Sequence, residues 1–210
     1  SMGVEMVPMR LRMIRAFFAA LALVALASCS PKNLNEPPPD LGDFALGHNI
    51  VVASKMQKGP VSRDATEDEW VNALKSAVDD RFGRYDGDNL YHFGISVEGY
   101  MLAPKGVPLV YTPKSALIIN VTVWDDARNR KLNSKPFQLT AFEDTNEDSL
   151  VIGSGWGRTK QQQLDGLSYN AIYTIEKWLL ENHQNYQWFV PGGSPSEPPE
   201  QEGPVVTGGQ

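Results

Sequence analysis

The chain has almost no cysteine, no long hydrophobic run and no excess of basic residues. Its 210 residues contain one cysteine, Cys29, so no disulfide can form within the chain. The net charge is −6, from 19 Lys and Arg against 25 Asp and Glu. An acidic surface repels polyanions, which argues against nucleic acid and anionic lipid headgroups as main partners. Hydrophobic residues make up 41% of the chain, which is enough for a core and argues against global disorder.

The longest apolar stretch runs from Ala16 to Ala27. As a helix it would span about 18 Å, which is too short for a bilayer core of about 30 Å. A segment with three arginines, Met9–Arg15, comes before it, and small residues follow it. This arrangement predicts a secretory signal over residues 1–28 rather than a membrane-spanning anchor. Residues 1–8 add nothing to such a signal, so upstream sequence and a cloning remnant both stay open for them.

The single cysteine follows this stretch directly, in Leu26-Ala27-Ser28-Cys29. This sequence resembles the lipobox of bacterial lipoproteins. The resemblance implies diacylglyceryl transfer to the Cys29 thiol, cleavage between Ser28 and Cys29, and acylation of the new amine. Two or three acyl chains hold a protein durably on a membrane, because each buried CH₂ contributes about 0.8 kcal/mol. The alternative is an ordinary secretory signal with an incidental cysteine.

The residue after the cysteine bears on the membrane to which the chain is sorted. Ser30 stands where an aspartate would favour retention at the inner membrane. By the sorting rule of enteric bacteria, we expect a lipid anchor in the outer membrane with the domain facing the periplasm, although the inner membrane stays open. Without residues 1–28 the chain has 16 basic and 24 acidic side chains, a net charge of −8.

Proline-rich segments flank the part of the chain that shows secondary-structure patterns. Residues 29–47 contain the cysteine and a tether with three consecutive prolines, which favour extended polyproline II structure. Residues 191–210 are rich in Pro, Gly and Glu, which predicts a disordered tail. A single domain is therefore expected over residues 48–190.

Within this domain the patterns predict the element order β-α-β-β-β-α. Alternating or β-branched residues predict strands at 49–53, 90–103, 115–126 and 135–143. One helix begins at a capping box formed by Thr66 and Glu69 and ends near Gly83; the second runs from about Thr159 to Glu181. We expect an α+β fold in which two helices cover one face of an antiparallel sheet.

A glycine-rich turn precedes the second helix. Gly153, Gly155 and Gly157 stand just ahead of Arg158 and Lys160, an arrangement that could hold a phosphate at a helix N-terminus. The spacing matches neither a P-loop nor a dinucleotide-binding loop. A flexible connection or a bulged edge strand explains the glycines equally well.

An acidic turn resembles the start of a calcium loop. Asp144, Asn146 and Asp148 stand at alternate positions, as the first three ligands of a calcium loop do. Ser149 and Gly155 stand where an EF-hand needs glycine and glutamate, so a solvated hairpin turn is the favoured interpretation.

The remaining titratable candidates are three histidines and one aspartate pair. His48, His92 and His183 show no close spacing typical of a metal or catalytic motif. Asp125 and Asp126 could act as acid and base, although adjacent carboxylates at a strand end are more often a solvated turn. The sequence therefore predicts no metal and no cofactor.

An apolar loop between two predicted strands suggests a contact surface. The loop carries Val107, Leu109 and Tyr111 and is bounded by Pro104 and Pro113. Such a loop either caps the core or forms an exposed patch that binds a partner.

The lipobox, the tether and the element order together resemble small periplasm-facing lipoproteins. The LPS-assembly lipoprotein family (LptE) and the N-terminal domain of the curli-secretion lipoprotein family (CsgG) have broadly this layout. Residues 106–127, GVPLVYTPKSALIINVTVWDDA, resemble uncharacterised lipoproteins of alphaproteobacteria. No motif ties the chain to the first two families, so their partners are not carried over.

These observations favour a non-catalytic lipoprotein that acts as an accessory or assembly factor in the cell envelope. Its expected partners are the membrane, through Cys29, and an envelope protein or envelope molecule. The alternative is a lipid-anchored or periplasmic envelope hydrolase or ligand-binding protein that uses Asp125, Asp126 or the glycine-rich turn. An exposed apolar loop or sheet edge would favour the first hypothesis, and a convergent polar cleft the second.

Overall fold

Residues 34–104, 115–143, 158–199 and 205–207 are described in the computed structural model. From Pro38 onward they belong to one compact unit, and residues 34–37 belong to another. The helices are α1 (Glu67–Phe82) and α2 (Lys160–Tyr186). The strands are β1 (Ala45–Val52), β2 (Gln57–Lys58), β3 (Leu90–Met101), β4 (Ala116–Asp125), β5 (Arg130–Lys131), β6 (Phe137–Phe142) and β7 (Val205–Thr207).

Both helices begin at capping boxes. The Thr66 hydroxyl accepts a hydrogen bond from the Glu69 amide at 3.2 Å, and Glu69 Oε2 accepts one from the Thr66 amide at 2.8 Å. Thr159 and Gln162 form the same arrangement at the start of α2. Each box satisfies amides that the first helical turn leaves without partners. The predicted start of α1 is confirmed, and α2 begins at the predicted threonine and extends to Tyr186.

The sheet is mixed rather than antiparallel. Its strand order is β1-β3-β4-β6-β7, with β2 also beside β3 and β5 also beside β4. The pairs β3–β4 and β4–β6 are antiparallel, as predicted, but β1 and β2 run parallel to β3, and β7 runs parallel to β6. The antiparallel prediction is therefore wrong at both edges. A helix lies between β1 and β3 and another between β6 and β7, and such a crossover returns the chain so that the strands run parallel.

Two helices pack on the same face of this open seven-stranded sheet and on each other. Alternate residues of β3, β4 and β6 are buried on that face, and the intervening residues lie on the opposite face. The helices contribute the apolar stripes that their sequences predict, with Trp70, Leu74, Leu164 and Leu167 fully buried. The fold is thus α+β.

A buried ion cluster joins the two helices. Arg81 of α1 and Glu176 of α2 are both almost fully buried, and Arg81 Nη1 lies 2.6 Å from Glu176 Oε2. The Tyr85 hydroxyl donates to Glu176 Oε1 at 3.0 Å, and burial together with that carboxylate raises the pKa of Tyr85. Tyr85 therefore stays neutral as a hydrogen-bond donor at physiological pH.

The last residues of the predicted tether lie inside the domain. Leu41 and Phe44 are buried, although the sequence predicts a domain that starts at residue 48. The Phe44 ring stacks on Tyr91 at 5.5 Å and meets Phe189 edge-on at 5.1 Å, measured between ring centroids. The sequence did not indicate that these residues belong to the core, because two apolar residues in a proline-rich segment are too few to show a pattern.

Part of the segment predicted as a disordered tail also lies on the domain. The Ser196 amide donates to the Tyr186 carbonyl at 3.0 Å, and β7 pairs with Leu139–Ala141 of β6. Val205 and Val206 supply the β-branched residues that the ladder favours.

Candidate functional site

Most residues singled out from the sequence lie outside the described ranges. They are Ser28, Cys29, Val107, Leu109, Tyr111, the acidic turn 144–149 and the glycine-rich turn 153–157. The two cations next to the glycine-rich turn are described, and both are in ion pairs. Arg158 Nη1 lies 3.1 Å from Glu143 Oε1, and Lys160 Nζ lies 2.5 Å from Glu69 Oε1.

The two aspartates at the end of β4 bind different partners. Asp125 is fully buried and accepts hydrogen bonds from the Arg128 amide at 2.9 Å and from Arg128 Nη1 at 2.7 Å. The Asp126 side chain is 59% exposed, and its Oδ1 lies 3.1 Å from His92 Nε2. The structure does not bring these carboxylates together as an acid–base pair. The solvated-turn interpretation is also wrong for Asp125.

Two histidines that are far apart in the sequence, His48 and His92, contact each other across β1 and β3. The His48 and His92 rings are 4.8 Å apart, and the His48 amide donates to His92 Nδ1 at 2.7 Å. In the neutral His92 ring the proton is therefore on Nε2, which faces Asp126. The third histidine, His183, instead contacts the Trp188 carbonyl. In the described ranges, no group of three or more His, Cys, Asp or Glu is arranged to hold a metal ion.

A bulge in β1 creates this contact. The register of β1 on β3 shifts by one residue between Leu46 and Asn49. A Cβ atom on Gly47 would lie 2.1 Å from His92 Nδ1, so only glycine allows the close approach. Beyond the bulge, the Asn49 side-chain amide donates to the Lys75 carbonyl at 3.1 Å, which fixes β1 on α1.

The outer side of β1 is an open sheet edge. β1 pairs with β3 on one side, and no other described strand pairs with it. Ile50 is 58% exposed and Val52 is 49% exposed. The strand has no Lys, Arg, Asp, Glu or Pro, the residues with which proteins usually block an edge. We call His48, Ile50 and Val52, with the adjoining backbone edge, the β1 surface.

The face of the sheet opposite the helices continues the β1 surface. Ile118 and Trp124 of β4 are half-buried on this face, between polar residues such as Asn120 and Thr122. Ser96 of β3 lies beside Val52 in the register and joins the two parts. This face is therefore a mixture of half-buried apolar and polar side chains. Sequence analysis missed it because alternation shows that one face is exposed, not which strand lies at the edge.

Comparisons with known proteins give structural neighbours only. No family model and no curated protein matches the chain. Similar solved structures include a Xanthomonas campestris protein of the family DUF330, with 14% identity and a TM-score of 0.40, covering 72% of this chain and 94% of that one. A candidate lipoprotein from Caulobacter crescentus has 14% identity and a TM-score of 0.32, with coverages of 60% and 87%.

A minor lipoprotein from Acinetobacter baumannii is a further neighbour. It has 16% identity and a TM-score of 0.26, with coverages of 64% of this chain and 94% of that one. Bacterial lipoproteins are thus among the structural neighbours. Neither described helix is both long and apolar enough to cross a membrane, and the apolar stretch 16–27 lies outside the described residues.

Proposed function

We propose that this chain is a lipid-anchored protein of the bacterial outer membrane whose periplasm-facing domain binds an extended segment of another envelope protein. The anchor is Cys29, and the docking site is the β1 surface. The observation that carries the docking proposal is the outer side of β1 from His48 to Val52, which pairs with no other described strand, has no Lys, Arg, Asp or Glu, and carries two exposed β-branched side chains.

The β1 surface has the groups that bind an added β-strand. An added strand bonds to the main-chain groups of residues 49–52, and its alternate side chains contact Ile50 and Val52. Since β1 has no Lys, Arg, Asp or Glu, the fitting segment is itself uncharged and rich in β-branched residues at that point. The role is an accessory one, in which the domain binds a partner without chemical turnover.

The hydrolase alternative loses one of its candidate sites. It relied in part on an acid–base pair of Asp125 and Asp126, and these carboxylates engage Arg128 and His92 separately. The glycine-rich turn, its other candidate, stays a sequence-based hypothesis.

The anchor is tested by the intact mass of the membrane-extracted protein, compared between the wild type and Cys29→Ala. We expect the wild type to lose residues 1–28 and to gain two or three acyl chains, and the variant to gain none. A wild type without lipid would contradict the anchor and leave the docking site as a property of an unanchored periplasmic protein.

The docking site is tested by photo-crosslinking in cells. A crosslinker at Ile50 is expected to capture a discrete envelope protein, and Val52→Lys is expected to abolish that product. The matched control is a crosslinker at Val61, which is 51% exposed but lies outside β1. The same products from both positions, or a product that Val52→Lys leaves unchanged, would rule out specific docking on β1.

A further inference from the structure

The proline-rich segment after α2 is bound to the domain through its backbone carbonyls. The donors are side chains of the domain, not another stretch of backbone. They are Arg128 Nη2 to the Gly193 carbonyl at 2.7 Å, Arg130 Nη2 to Pro195 at 3.0 Å, and Trp188 Nε1 to Ser196 at 3.0 Å.

An acidic side chain in the same segment is also bound. Glu197 Oε1 accepts a hydrogen bond from the Ser134 amide at 2.7 Å and another from the Ser134 hydroxyl. These bonds, and the nearby Lys135 ammonium, hold the pKa of Glu197 below its usual range. The site therefore favours a carboxylate at this position.

This pattern is typical of polyproline II recognition. A polyproline II helix has no internal hydrogen bonds, so its carbonyls are open to donors from a binding surface. Pro195 and Pro198 are three residues apart, which is one turn of such a helix, so they lie on the same side. Proteins that bind proline-rich ligands use grooves lined by aromatic residues.

A cavity adjoins the end of the bound segment. It has a volume of about 550 Å³, and its lining includes Pro198 and Pro199 together with the aromatic rings of Phe137, Trp178 and Tyr186. Asn182 also lines the cavity; it is 2% exposed, and its Oδ1 has no hydrogen-bond partner among the described residues. Among the described residues, residues 193–199 leave this cavity unfilled.

We propose that this groove binds extended, acidic, proline-containing segments, and that residues 193–199 are its resident and displaceable ligand. Arg128, Arg130, Ser134 and Trp188 donate to residues 193–197, and Phe137, Trp178 and Tyr186 line the groove beside Pro198 and Pro199. The occupant to which we commit is a Glu-Pro-Pro segment of a partner protein. Such a segment matches the seated Glu197-Pro198-Pro199, and its carboxylate complements the positive charge of Lys135.

Residues 193–199 compete strongly with a free peptide because they are part of the same chain as the groove. A short tether gives an intramolecular ligand a millimolar effective concentration, so a free peptide binds the wild-type chain only weakly. Weakening the resident segment is expected to expose the groove. This inference is independent of the β1 surface, which lies at the other edge of the sheet.

The test uses the full chain and a labelled peptide with the sequence of residues 192–200. A release variant carries Pro195→Ala and Glu197→Ala. We expect the peptide to bind this variant about tenfold or more tighter than the wild type, because the attached competitor is weakened. Adding Arg130→Ala to the release variant is expected to abolish binding. A control peptide with alanine for both prolines of Glu-Pro-Pro is expected not to bind.

Several outcomes would overturn the proposal. They are no peptide binding by a release variant with native circular dichroism, equal binding by the control peptide, and binding unaffected by Arg130→Ala. Amide exchange of Ser196 in the wild type provides a second measurement, which we expect to accelerate with saturating peptide. A release variant that dimerises, and no longer does so with Glu36→Ala, would assign the segment to Glu36-Pro37-Pro38 of a second copy and overturn the partner assignment.

Discussion

The two edges of the sheet differ in how the chain covers them. At one edge, β7 pairs with β6, and the proline-rich segment 193–199 is bound close by. At the other edge, β1 presents Ile50 and Val52, and no described strand lies on its outer side. Exposed edges promote aggregation, so proteins usually block them with charge, proline, cover or a very short edge strand. One edge ends in β7, which has only three residues, whereas β1 has eight residues and none of these devices, which is why we assign the β1 edge to a partner.

The largest loss of stability, at both edges of the sheet, is expected from Phe44→Ala. Phe44 leads into β1 and also contacts Phe189, just before the proline-rich segment, so its loss weakens both edges together. Replacing a buried phenylalanine by alanine costs about 3–5 kcal/mol in the free energy of unfolding. Urea unfolding measures it, with exposed Val61→Ala as the control. A loss below about 1 kcal/mol would mean that residues 41–44 belong to the tether after all.

A smaller loss of stability, confined to the side of the sheet where residues 193–199 are bound, is expected from Asn133→Ala. Asn133 is buried; its Oδ1 accepts from the Val123 amide at 2.9 Å, and its Nδ2 donates to the Val121 carbonyl at 3.0 Å. Leaving these groups without partners costs about 1–3 kcal/mol. Because Ser134 is the next residue, Ser196 is also expected to exchange its amide faster, while amides of β1 do not. Gln161→Ala, on the surface of α2, is the control, and equal acceleration at both edges would contradict the comparison.

Acidification is expected to release the bound segment 193–199 from the domain while β1 stays in place. The pKa of Glu197 is lowered in the folded chain by the Ser134 hydroxyl and amide, so its contribution is complete above the ordinary glutamate value of about 4.3. It is lost as the pH falls below that ordinary value and through the lowered pKa. The Trp188 indole N–H resonance reports the change, since this group donates to Ser196. Glu197→Gln is expected to remove this pH dependence, and an unchanged titration would assign it to another group.

The smallest effect on stability is expected at the β1 edge. Ile50→Lys and Val52→Lys replace exposed side chains, so each is expected to change the free energy of unfolding by about 0.5 kcal/mol or less. Val52→Lys is also expected to remove the product that is crosslinked at Ile50. A destabilisation above about 1 kcal/mol would show that these side chains pack within the fold and are not free to dock.

The sequence predicted those features that depend on neighbouring residues. Thr66 and Glu69 form the predicted capping box because both partners lie within one turn. The alternation of Tyr91, Phe93 and Ile95 correctly identified the buried face of β3. In both cases four or five consecutive residues carry enough information to define the local structure.

The features that were missed depend on residues far apart in the chain. His48 meets His92 only because β1 runs parallel to β3, and Arg81 meets Glu176 only because the helices share a face. Neither pair leaves a local pattern. The bound segment 193–199 was missed for a related reason, since proline and glycine favour disorder unless a surface supplies the hydrogen bonds that Arg128 and Arg130 donate.

The mixed pairing of the sheet has a consequence for the order in which it folds. β3, β4 and β6 are paired in antiparallel fashion in chain order, whereas β1 and β7 reach their partners only across a helix. Contacts between distant residues form later because loop closure has an entropic cost. We expect the central strands to form the folding nucleus and the edge strands to join last. The edges also open first in the native state, so a partner strand or peptide can reach its site without global unfolding of the domain.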